Sequence, residues 1–162
     1  MSASIVSLVN QRLSCARLLL QDRNSARNPV HGKALEDACV FHLCCAYRHY
    51  VRELAGYYGV KFIAGIDNER AAAKALAQLD KHPAEIQELC HLREQPGSWL
   101  SRLLAHYELC WVLPAPPPLD NVIALTDLDR VPSDPLTPEQ IAEACEHMQA
   151  IIERHRESSV EC

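Results

Sequence analysis

Cys45 and His49 stand one helical turn apart within "CVFHLCCAYRHY", residues 39–50, and His106 and Cys110 repeat that spacing further along the chain. Side chains at i and i+4 lie on the same face of a helix, close enough to hold one ion. Two such pairs on neighbouring helices supply the two thiolates and two imidazoles that bind zinc tetrahedrally. Cys45, His49, His106 and Cys110 are therefore the candidate metal ligands. A packing reading stands against them. Free cysteine is among the most buried residue types, and a chain with eight Cys and eight His produces such spacings by chance. On that reading there is no cofactor, and zinc is the alternative.

Wound at about 100° per residue, the stretch separates into two sides. Val40, Leu43, Cys44 and Tyr47 form a core stripe, with His42, Cys45 and His49 opposite, beside Arg52 and Glu53. Arg48 and Arg52 on the solvated flank, with Tyr50 and Tyr57 lining a groove, are the candidate partner-binding residues. The bland alternative makes the tyrosines core or rim aromatics and the arginines an ordinary charged face. Other chemistry finds less support. Glu88-Leu89-Cys90-His91 is one Glu-x-x-His motif, whereas di-iron bundles need two. Cys-x-x-Cys, Gly-x-Ser-x-Gly, the phosphate loop, the dinucleotide fingerprint and His-Glu-x-x-His are all missing. No catalytic residue is assigned.

The elements that must position these residues read as helices. Apolar residues recur at helical spacing over 4–22, 33–58, 69–79, 83–93, 99–113 and 138–156. Asp67 and Asn68 are predicted to cap the third helix and Ser98 the fifth, Pro83 suits a first turn, and Gly59 a C-cap. "TPEQ" at 137–140 is a capping box with Pro at the first helical position. "RNSARNPVHG" reads as a breaker, and "VKFIAGI" as a short apolar connection. Residues 114–137 carry six prolines and are predicted to form an extended strap, with Val122, Ile123 and Leu125 docked on the bundle. The pattern predicts one all-α domain over 1–162. It is an antiparallel bundle of four long helices, 83–113 counted as one broken member, plus one or two short ones and a polar tail at 157–162.

Composition narrows the function. A chain of 162 residues with a net charge of −5 and a pI of about 5.9 lacks the basic stripe of a nucleic-acid binder and the polybasic patch that binds anionic membranes. There is no apolar run long enough to span a bilayer, and "MSASIVSLVNQRLS" has no secretory pattern. The expectation is a cytoplasmic protein with reduced thiols.

"NQRLSCARLLL" near the start, "FHL" and "VRELAGYYG" in the second helix, "PGSWL" before the fifth and a terminal "EC" resemble a family of small gammaproteobacterial proteins classed as a domain of unknown function. The resemblance spans most of the chain. It implies a cytoplasmic bacterial protein and brings no activity or catalytic residue with it. The expected function is non-enzymatic, through interaction with another macromolecule, most simply a protein. A metal-binding bundle is the first alternative and a nucleic-acid-associated helical protein the second.

Overall fold

In the computed structural model, which describes residues 4–113 and 134–160, the chain is built from helices: α1 (Ile5–Arg23), α2 (Pro29–Tyr57), a 3-10 turn (Ile63–Gly65), α3 (Glu69–Ala77), α4 (Ala84–Glu94), α5 (Trp99–Leu109) and α6 (Pro138–Val160). The all-α bundle expected from periodicity is the observed fold. Its starts are chemically marked. Ser4, Asn28, Asn68 and Ser98 each accept the N–H three residues on, at 2.8–3.1 Å. At α6 the capping box is reciprocal: Thr137 Oγ1 accepts from the Gln140 N–H at 3.3 Å, and Gln140 Oε1 accepts from the Thr137 N–H at 3.0 Å. Thr137→Ala should therefore lower stability by about 0.5–2 kcal/mol, read as a shift of the denaturation midpoint.

The end of α2 is a glycine cap. Gly59 sits at φ +99°, its N–H bonds Gly56 O, and the Val60 N–H reaches back to Ala55 O. This paired pattern closes the last turn and needs a residue that tolerates left-handed backbone.

α2 is the central element and packs against every other helix. α1 runs antiparallel to it, since Arg12 meets His42, the Cys39 thiol meets Ala16 O, and Arg23 meets Glu36. α6 runs antiparallel to α1, pairing Arg17 with Gln149 and Asn10 with Arg156. Leu43, Leu76, Leu89, Leu103, Met148 and Ile152, from five helices, meet in one fully buried cluster. Burial of each such side chain contributes about 1.5–3 kcal/mol.

Several expectations need correction. α2 begins at Pro29, not Lys33. Asn28–Pro29 is an N-cap followed by proline at the first helical position, so the apparent breaker is a helix start. Pro83 is itself the N-cap of α4. The broken long member, 83–113, is two separate helices of 11 residues each, and α5 stops at Leu109. The polar tail is helical as far as Val160. Arg156 explains part of this extension, gripping Glu53 with two bonds of 2.8 Å. "VKFIAGI" holds the 3-10 turn. The end of the predicted strap is ordered: Leu136 is buried, and its N–H donates to His106 Nδ1 at 2.8 Å. Val122, Ile123 and Leu125 lie outside the described residues.

Candidate functional site

Two segments that the α1–α2 hairpin packs together share an unusual composition. Residues 5–21 and 38–52 hold Arg12, Arg17, Arg48, Arg52, His42 and His49 and no Asp or Glu, in a chain whose net charge is −5. Among the described residues only Arg52 of these four arginines pairs with a carboxylate, Asp67 at 3.4 Å. Arg17 turns to Gln149 and Ser14. Arg12 lies over the Phe41 ring, 5.9 Å from its centroid, and donates to His42 Nδ1 at 3.3 Å. Its Nε is buried without a hydrogen-bond partner among the described residues. Arg48 is exposed and makes no hydrogen bond or ion pair to a described residue. Phe41, beneath Arg12, and Arg48 line the same cleft, so the two charges flank one stretch of α2.

Beside this patch lies a cleft of about 310 Å³ between α2, α5 and the start of α3. Phe41, Cys44, Leu104 and Tyr107 give it apolar walls, Arg48 and Glu108 stand at its edge, and Glu69 lies at its floor. Phe41 is 44% exposed. Glu69 is buried, accepts from the Tyr47 hydroxyl at 2.7 Å and lies 4.0 Å from Arg93 Nε. Burial first, then the Glu69 carboxylate, raise the Tyr47 pKa, so its proton stays on oxygen. Burial pushes the Cys44 thiol up to about 12, with smaller contributions from Cys45, Cys110 and Glu108, and raises Cys45 as well. Neither thiol supplies a thiolate near neutral pH. A larger cleft of about 430 Å³ between α1 and α6 has no aromatic wall. Aromatic anchors beside an open charge favour the first as a recognition surface.

The four candidate metal ligands are not assembled. His106 is buried against Asp37 and Leu136, with Nε2 4.0 Å from Asp37 Oδ1. Cys110 is exposed, because α5 has already ended and Cys110 is its C-cap. His49 and Cys45 are half-buried and lie within reach of Arg12. Among the described residues no three His, Cys, Asp or Glu side chains are grouped to hold a metal.

Two of the candidate partner-binding residues are also redirected. Tyr50 is 1% exposed and its hydroxyl meets His155 Nδ1 at 2.6 Å, so it belongs to the core. Arg52 is a clasp, donating to Ile66 O at 2.7 Å and Ala64 O at 3.2 Å and so fixing the turn before α3. Tyr57 is exposed and packs edge-on to Tyr58. Arg48 remains open. Sequence reasoning missed Arg12, Phe41, Tyr107 and the buried Glu69. The lack of acids in both 5–21 and 38–52 was a readable signal for the first of these.

The cysteines give a test of packing. Cys44 packs against the core cluster, so Cys44→Ala should cost roughly 1 kcal/mol, while Cys45→Ala should cost about 0.5 kcal/mol or less. Urea denaturation of the two variants reads the difference, and equal losses would contradict the packing.

The histidines set a pH dependence. His42, His49 and His106 all have lowered pKa values, in each case chiefly through burial. In His106 the reason is visible, since protonation would place a hydrogen on the Nδ1 that accepts the Leu136 N–H. The unfolded chain then binds more protons than the folded one below pH of about 6.5. Stability is fully present above that pH and falls as pH drops through it toward the lowered values. The melting temperature should be lower at pH 5.5 than at pH 7.5, with a flatter dependence in His106→Gln. A melting temperature constant across that range would contradict the neutral histidines.

Compared with known proteins, residues 1–162 match the model of a family described as a family of unknown function, DUF6586. No curated protein and no solved structure matches the chain.

Proposed function

For a chain that belongs to this family of unknown function (DUF6586), we propose the role of a non-enzymatic binding protein of the bacterial cytoplasm, which engages another protein through the face formed by α1, α2 and the cleft beside α5. The observation that carries the reading is Arg48. It is exposed, has no partner among the described residues and stands at the edge of a cleft walled by Phe41, Leu104 and Tyr107. A hydrophobic pocket with a charged edge is the usual anatomy of a protein-recognition surface. The groups that border the cleft favour binding over chemistry. Its thiols are held protonated by burial, and Tyr47 and Glu69 are committed to each other. The fold supplies a rigid platform, because α2 is held by every other helix.

In-cell photo-crosslinking tests this. A photoreactive side chain placed at exposed Gln11, next to Arg12, should capture one discrete protein, and the same group at exposed Gln78, the C-cap of α3, should not. Capture should be lost when Arg48→Glu is added. The same smear of products at both positions, or capture that ignores Arg48→Glu, would remove the reading.

A further inference from the structure

We propose that the partner's contact is an acidic, apolar peptide segment, whose carboxylates pair with Arg12 and Arg48 while an apolar side chain enters the cleft beside Phe41. This rests on the binding face proposed above and names what that face recognises. Three observations converge. First, the two helical segments that meet at the face contain no acid, and of their four arginines Arg17 turns to Gln149 on α6 and Arg52 pairs with Asp67. Arg12 and Arg48 are the two guanidiniums on the α2 side without a carboxylate partner among the described residues. Second, Arg12 is already positioned. Its stacking over Phe41 and its bond to His42 hold the guanidinium on the patch, which reduces the entropy lost when it pairs. Third, the charged patch continues into a cleft of about 310 Å³ that Phe41, Cys44, Leu104 and Tyr107 line together with Asp67, Glu69 and Arg93, with room for one or two side chains.

Nucleic acid fits this chemistry less well. Two free guanidiniums neutralise at most two phosphates, against about six to ten for a typical DNA-binding protein. Glu108 at the edge of the cleft and the net charge of −5 repel a long polyanion. A short segment with a few carboxylates between apolar residues avoids that repulsion and uses the cleft.

Fluorescence anisotropy on the full chain tests the assignment. The probe is a labelled ten-residue peptide alternating Glu with Leu and Trp, run beside the same peptide with Lys for Glu and a single-stranded oligonucleotide. The expected result is saturable binding of the acidic peptide that weakens with added salt. Arg12→Glu and Arg48→Glu should each reduce affinity at least tenfold, and Phe41→Ala should also weaken it. Arg17→Glu should leave it within twofold, since Arg17 turns to Gln149 on α6. Circular dichroism confirms that each variant is folded. Preference for the Lys peptide, lost with Phe41→Ala, overturns the acidic assignment while leaving the binding face. Preference for the oligonucleotide overturns both. Absence of binding to the wild-type chain, restored by Val122→Ser with Ile123→Ser, overturns the proposal in favour of the chain's own 119–129 segment as occupant. Absence of binding in every case overturns it outright.

Discussion

His155→Ala is expected to lower stability by about 3 kcal/mol, a drop in melting temperature of roughly 6–12 °C for a chain of this size. His155 is buried between three helices. Its Nδ1 meets the Tyr50 hydroxyl at 2.6 Å and its Nε2 meets Glu88 at 2.8 Å. Truncation leaves a cavity and, at the same time, removes the imidazole from a fully buried hydroxyl. Arg154 supplies the control. It bonds the same Glu88 at 2.6 Å, but 61% of its side chain is exposed. Arg154→Ala should cost under about 1 kcal/mol, since an exposed ion pair is weak. Similar losses for the two variants would mean that the buried chain Tyr50–His155–Glu88 does not tie α2 to α4 and α6.

Glu69→Ala is expected to cost about 2–4 kcal/mol, and Glu69→Gln much less. The carboxylate is 2% exposed at the first turn of α3. It accepts from the buried Tyr47 hydroxyl, faces Arg93 and sits at the positive end of a helix, so its removal leaves a hydroxyl and a cation without compensation. Gln keeps an acceptor for Tyr47. A double-mutant cycle with Tyr47→Phe should return a coupling of about 1–3 kcal/mol. A coupling near zero would mean that the pair does not brace the floor of the cleft.

Local signals were legible wherever a short motif carries its own physics. The Thr137–Gln140 box, the Asn68 and Ser98 caps and Gly59 all behave as their residue types require. Asn28–Pro29 carries the same cap-then-proline chemistry as Thr137–Pro138, and it was misread because Asn, Ser and Pro cluster in loops as readily as at helix starts. The fifth helix was extrapolated to residue 113, four residues past the end of α5 at Leu109. Leu100, Leu103 and His106 point inward, whereas Cys110 and Trp111 lie beyond the last helical residue and are exposed. The buried polar groups were illegible for another reason. Tyr50 finds His155 across 105 positions and Tyr47 finds Glu69 across 22, and helical periodicity reports nothing about such pairings. The cationic patch lies between these cases, since its composition is readable but the placing of Arg12 over Phe41 depends on how α1 meets α2.

The Arg12–Phe41–Arg48 face is the proposed recognition surface. Backbone and arginine side-chain nitrogen spectra, recorded while the acidic apolar peptide is titrated in, test it most directly. Perturbations are expected to centre on Arg12, on residues 41–49 of α2 and on Leu104 and Tyr107, with the Arg48 Nε resonance among the most shifted. Perturbations centred on Arg17 and α6, or spread evenly over the helices, would contradict it.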